Sequence, residues 1–242
     1  MTRFGKIIGT GVGPGDPELL TIKAYRALKE ADVVAYPRKR KGAKSYAYQI
    51  IEPYENVIKE KIGLVFPMTK DKEVLEKEWN HIAFTLFEHA KQGKDIVFVT
   101  EGDPMLYSTF IHLWKTMKKH YPEVEVASIP GISSMTAIAS TMMVPLADGD
   151  EWTAVVPATD NRASMKQALL DHDGVVFIKV AKVLPMIIDL LEELNLLDTA
   201  AVATKVTSRD EWIWKDVAEL KTAELEYLTL LMVRKQKEGV LQ

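Results

Sequence analysis

The segment Lys6-Ile7-Ile8-Gly9-Thr10-Gly11-Val12-Gly13-Pro14-Gly15-Asp16-Pro17-Glu18 constrains the fold more than any other part of the chain. A short apolar run ends in four glycines within seven residues, and a helix-start signal follows at once. Asp16 suits an N-cap, Pro17 the first helical position and Glu18 the positive end of the helix dipole. Leu20, Ala24, Ala27, Leu28 and Ala31 recur at helical spacing before the continuous apolar run Val33-Val34-Ala35-Tyr36, which Pro37 stops. The pattern predicts a strand–helix–strand unit with a glycine turn at the end of its first strand. Because glycine lacks a Cβ, a ligand can lie against the peptide itself there; a tight turn without a ligand is the alternative.

The alternation continues with a helix around Lys72 to Gln92, a strand at Ile96 to Val99, a turn at Glu101-Gly102-Asp103-Pro104 and a helix through Trp114. Strands alternating with helices predict an α/β protein with a mainly parallel sheet. After Tyr121-Pro122 a strand at Glu125 to Ile129 opens a second set, continued at Thr153 to Val156, Val175 to Val180, Ala200 to Val206 and Tyr227 to Val233. The polar stretch Lys118-Lys119-His120-Tyr121-Pro122 then divides two α/β domains in tandem, residues 1–119 and 120–242.

With 47% apolar and 27% charged residues the chain can bury a large core. Its 31 Lys and Arg against 34 Asp and Glu leave a charge of -3, which gives no global attraction to nucleic acid or an anionic membrane. Any basic site is local, and one charge run offers it: Arg38-Lys39-Arg40-Lys41, with Lys44 close behind. The absence of cysteine excludes disulfides, thiolate zinc, iron–sulfur clusters and a cysteine nucleophile. None of His81, His89, His112, His120 and His172 forms a pair at metal-ligand spacing, so no resident metal is expected. No apolar run approaches the roughly 20 residues of a membrane span, and the first apolar run is too short for a signal-peptide core. A soluble, cytoplasmic protein is expected.

The glycines do not form a dinucleotide fingerprint. No Gly stands at position 14, and the second strand ends in Pro37-Arg38 rather than in an acid for ribose hydroxyls. No Gly-Lys-Ser/Thr occurs anywhere, which removes the phosphate-binding P-loop as well. Asp103, after an apolar strand, belongs at the carboxyl end of the sheet, where it can accept hydrogen bonds from a ligand or cap the next helix together with Pro104.

Gly11-Val12-Gly13-Pro14-Gly15-Asp16-Pro17-Glu18-Leu19-Leu20-Thr21 resembles the N-terminal signature of the tetrapyrrole methylases, S-adenosylmethionine-dependent enzymes that methylate cobalamin and sirohaem precursors. Four further segments are similar to that family in order and spacing: Ala31-Asp32-Val33-Val34, Glu101 to Thr109, Ile129-Pro130-Gly131-Ile132-Ser133-Ser134 and Leu228 to Lys235. Pro37-Arg38, Lys41-Gly42, Ser45-Tyr46-Ala47-Tyr48 and Leu64-Val65-Phe66-Pro67-Met68-Thr69 look most like the precorrin-2 or cobalt-factor II C(20)-methyltransferases. Related uroporphyrinogen methylases carry Asp where Pro37 stands, so that residue's part in proton handling does not transfer.

The resemblance implies a ligand cleft between the two domains. It implies S-adenosylmethionine contacts at Pro14, Gly15, Glu101, Gly102, Asp103, Leu106, Tyr107, Ser133, Ser134 and Lys179, the last on the strand Val175 to Val180. Arg38, Lys39, Lys41 and Lys44 would meet the carboxylates of a tetrapyrrole, and Tyr46 would stack on the macrocycle or pack beneath the loop. No catalytic side chain is assigned: an electron-rich carbon attacks a methyl on a sulfonium, so alignment matters more than a strong base. A homodimer acting on a small tetrapyrrole is implied, with no nucleic acid and no membrane partner. The alternatives are a methylase of the same fold acting at another ring position or on a non-tetrapyrrole, a nicotinamide oxidoreductase, and a non-catalytic anion-binding module.

Overall fold

A computed structural model describes residues 3–66, 69 and 71–235; Pro67 and Met68 of the signature above lie outside the described residues. The chain divides into two compact units, Met1–Ser133 and Ser134–Gln242.

The first unit is built on five parallel strands, β1 (Ile7–Gly11), β2 (Val33–Arg38), β3 (Lys61–Val65), β4 (Ile96–Thr100) and β5 (Val126–Ile129), in the order β3-β2-β4-β1-β5. Helices α1 (Ile22–Glu30) and α2 (Tyr46–Ile51) cover one face; α3 (Lys72–Lys91) and α4 (Phe110–His120) cover the other. Both faces are therefore sealed, and β4 in the middle is buried throughout. Three of these helices, α1, α2 and α3, begin where a side chain satisfies their first amides. Thr21 Oγ1 accepts from the Ala24 N–H at 3.1 Å, Ser45 Oγ from Tyr48 at 3.3 Å, and Asp71 Oδ1 from Glu73 and Val74 at 2.9 and 3.2 Å. Each such cap contributes about 1 kcal/mol.

Two expectations are corrected in this unit. Asp16 and Pro17 open only a short 3-10 turn, Pro17–Leu19, and the α-helix starts after Thr21. The strand Glu125 to Ile129 does not begin the second domain: β5 pairs with β1, Ile7 opposite Val126 and Thr10 opposite Ile129, which carries the boundary from residue 119 to Ser133. The edge strand β3 leaves little trace in the sequence because Gly63 interrupts its apolar run.

Asp32, just before β2, accepts from the Asp95 N–H at 3.0 Å and from Lys59 Nζ at 3.1 Å. The backbone bond first and Lys59 second hold its carboxyl below its ordinary 3.8. A carboxyl depressed on folding stabilises fully above the unfolded value and loses that contribution as pH falls through the folded one. Asp32→Asn is expected to flatten the acid limb of the melting-temperature profile below about pH 4; an unchanged limb in a thermal melt series would count against it.

The second unit begins with α5 (Ser134–Met142) and contains β6 (Thr153–Pro157), α6 (Arg162–Asp171), β7 (Gly174–Ile178), α7 (Leu184–Glu193), β8 (Ala200–Thr204), β9 (Trp212–Trp214) and β10 (Thr229–Arg234). Its sheet runs β6-β7-β10-β8-β9. Among the described residues only β6 and β7 pair in parallel; β10 lies antiparallel between β7 and β8, and β9 is antiparallel to β8. The mainly parallel expectation thus holds for the first sheet and fails for this one. Arg234, ending β10, forms an ion pair with Glu151 whose side chains are only 13% and 7% exposed. Among the described residues no helix is long and apolar enough to cross a membrane.

Candidate active site

β1 and β4 are neighbours, yet the chain leaves β1 toward the α1 face and β4 toward the α4 face. That divergence opens a crevice at the carboxyl ends, where open α/β sheets bind ligands. The two departing loops are hydrogen-bonded as they part. The Val12 N–H donates to the Thr100 carbonyl at 3.0 Å, and the Gly102 N–H donates to the Gly13 carbonyl at 2.8 Å. The loop after β5 joins them through Asp103: Oδ1 accepts from the Met105 N–H at 2.8 Å and Oδ2 from the Gly131 N–H at 3.0 Å. Asp103 is thus both the cap of its own loop and the tie to the next strand's loop.

This tie demands a close approach of main chains. A Cβ on Gly131 would stand 2.2 Å from the Gly102 carbonyl oxygen and 2.7 Å from Gly11 Cα. On β1, a Cβ on Gly9 would fall 2.3 Å from the Phe110 ring. Two of the four glycines in the first turn therefore make room for protein. The ligand-facing reading narrows to the peptides from Gly13, which has φ +85°, through Pro14 and Gly15, both buried.

Beyond Asp103, the side chains of Met105, Leu106 and Tyr107 are exposed, and Tyr107 holds a left-handed φ of 52°. An exposed apolar rim with a non-glycine residue in that conformation is the pattern expected of a binding loop. Ser108 is turned inward, 3.0 Å from Thr100 Oγ1 and accepting from the Phe110 N–H at 3.1 Å. Glu101 and Ser133 are half-buried. The fold brings Pro14, Gly15, Glu101, Gly102, Asp103, Leu106, Tyr107 and Ser133 together on one unit. Ser134 starts α5 in the second unit. Lys179, expected on a strand, is instead the first residue past β7, exposed and at φ 58°.

The basic segment leaves the carboxyl end of β2 as expected. The Arg38 guanidinium lies over Gly63, where a Cβ would come within 2.9 Å of Cζ and Nε, and this Nε is buried without a hydrogen-bond partner among the described residues. A shielded donor of this kind is costly to leave unmade. Lys39, Lys41 and Lys44 are exposed around Gly42. The Tyr46 hydroxyl donates to the Pro14 carbonyl at 3.0 Å, on the glycine turn. Tyr54 similarly donates to Pro17 at 3.1 Å, a tie with no motif to announce it in the sequence.

Titratable groups displaced from their ordinary values in this unit lie elsewhere, near the amino ends of the strands. Lys61 is raised by its hydrogen bonds to Glu55 and then Tyr48; Glu55 is lowered by Lys61; burial raises Tyr48; Lys94 lowers Glu60. Among the described residues no three His, Asp or Glu gather as a metal site.

Over residues 6–221 the sequence matches the family model of the tetrapyrrole (corrin/porphyrin) methylases. The chain belongs to this family. The methylase is 35% identical to the cobalt-precorrin-2 C(20)-methyltransferase of Salmonella typhimurium, an alignment covering 97% of this chain and 98% of that one. It is 43% identical over 72% of each chain to a probable cobalt-precorrin-2 C(20)-methyltransferase of Methanocaldococcus jannaschii. Its fold superimposes on the uroporphyrin-III C-methyltransferase of Thermus thermophilus, solved in complex with S-adenosylhomocysteine, with a TM-score of 0.68, 25% identity and coverage of 95% and 97%. Membership in a methylase family sets aside the nicotinamide oxidoreductase and the bare anion-binding module.

Proposed function

We propose that this methylase transfers the methyl group of S-adenosylmethionine to C(20) of precorrin-2 or its cobalt-bearing form in cobalamin biosynthesis. The observation that carries the reading is the junction of three loops at the β1/β4 crevice, beside a basic segment suited to a polycarboxylate. The relatives named for the same reaction across nearly the whole chain support it.

The first unit's residues fit the cofactor. The Gly13 and Pro14 carbonyls each accept one protein hydrogen bond and keep a second lone pair for a polar tail. Each Asp103 oxygen accepts one protein N–H, leaving lone pairs for a ribose hydroxyl or an amine. Leu106 and Tyr107 supply exposed apolar surface for a purine, and Ser133, whose Cα would lie 3.9 Å from a Cβ on Gly102, a hydroxyl. When bound, S-adenosylmethionine supplies a methyl on a sulfonium leaving group. The chain's work is orientation: its loops fix one reactant while Arg38, Lys39, Lys41 and Lys44 hold the carboxylates of the other. No side chain is assigned as a base. The same reading carries a small-molecule tetrapyrrole substrate, no nucleic acid, and a homodimer in the cytoplasm.

Calorimetry with S-adenosylhomocysteine, alone and then with metal-free and cobalt-bearing dimethylated tetrapyrrole, tests this. Saturation at about 100 times Kd should add about 2.7 kcal/mol of stability, and one macrocycle should bind preferentially. Protection by a nicotinamide dinucleotide and none by S-adenosylhomocysteine would overturn it.

A further inference from the structure

The segment proposed to meet the substrate and the turn proposed to meet the cofactor are joined by one side chain. The basic segment runs from Arg38 to Lys44 and ends at Ser45, the buried N-cap of α2. Tyr46, the first residue of that helix, donates its hydroxyl to the Pro14 carbonyl at 3.0 Å. At the other end, the Arg38 carbonyl accepts from the Phe66 N–H at 2.9 Å, so the segment is a short span anchored on both sides. The anchored span continues directly into α2, so an anion held by Lys41, Lys44 or the incompletely bonded Arg38 bears on a segment whose next residue after the Ser45 cap is Tyr46.

We propose that Tyr46 is a positioning residue that couples the two ligands: a polycarboxylate on the basic segment sets the glycine turn, through Tyr46 and Pro14, in the conformation that holds the cofactor. This rests on the function proposed above. Coupling between sites is reciprocal, so the cofactor product strengthens macrocycle binding by the same factor. Beside stacking on the macrocycle or packing beneath the loop, Tyr46 thereby takes on a third part, carrying information about the macrocycle's presence.

The test is calorimetric titration of S-adenosylhomocysteine into the full chain with and without saturating cobalt-bearing dimethylated tetrapyrrole. The wild type should show an affinity gain of roughly 5-fold or more, the lower end of ordinary allosteric coupling. In Tyr46→Phe, which keeps the ring and removes only the hydroxyl, the gain should collapse to less than twofold while each ligand alone still binds. Tyr54→Phe, which removes the neighbouring tie to Pro17, should keep the gain. A Tyr46→Phe protein with the full gain, or a Tyr54→Phe protein that loses it equally, would overturn the assignment. Wild type that binds both ligands without any gain would also overturn it and leave the proposed function standing, whereas wild type that binds neither sinks both.

Discussion

Gly131→Ala is expected to lower stability by about 3 kcal/mol, the upper end for forcing atoms into a packed interior. The methyl group would stand 2.2 Å from the Gly102 carbonyl oxygen and 2.7 Å from Gly11 Cα, and neither is the free end of a flexible side chain. Three loops must separate to admit it. The Asp103 carboxylate then loses its reach to the Gly131 amide, and the Gly102 amide its reach to Gly13. The melting temperature should fall by about 6–12 °C, at the 2–4 °C per kcal/mol typical of a domain this size. S-adenosylhomocysteine affinity should fall at least about tenfold, because the same loops are proposed to hold it. Gly42→Ala is the contrasting variant: its Cβ meets nothing within 4 Å, though its φ of +78° still strains any side chain. It should cost about 1–2 kcal/mol and leave cofactor-product affinity unchanged. Equal effects of the two variants on that affinity would show that the junction does not shape the binding loops.

A second large effect is expected in the second unit. Glu151 and Arg234 are nearly enclosed, and Glu151 Oε2 also accepts from the Asp148 N–H at 2.7 Å. Removing one member of an enclosed pair strands the other charge, which costs about 3–5 kcal/mol. Glu151→Ala should therefore lower the melting temperature by roughly 10 °C. The double variant Glu151→Met/Arg234→Met should recover most of the loss, since the desolvation cost disappears together with the attraction. A single variant melting within about 1 °C of wild type would mean that water reaches the pair.

Much of the first unit was legible because its signals are local. The expected helix around Lys72 to Gln92 is α3, Lys72–Lys91, and the burial of Ala24, Ala27 and Leu28 follows the spacing in the chain. What the sequence concealed depends on partners remote in the chain. Apolar runs report burial but not direction, so the antiparallel insertion of β10 and the pairing of β5 with β1 could not be read from them. The short β9, with Trp212 and Trp214 flanking Ile213, is too brief for its alternation to stand out. At the crevice, the residue types were legible and their partners were not. Asp103 was recognised as a carboxylate at a strand end, but its bond to Gly131 spans 28 residues of sequence. Tyr46 was placed beside the right loop, yet the acceptor that gives its hydroxyl a purpose lies 32 residues earlier.

The place of β10 has a bearing on synthesis. The first unit's sheet is complete once β5 has been made, so that unit can close while the chain is still growing. The second cannot: β10 fills the gap between β7 and β8, two strands with no direct pairing of their own. Until Thr229–Arg234 leaves the ribosome, β7 and β8 each present an unpaired apolar edge. The nascent chain thus passes through a period with one finished half and one half open to aggregation.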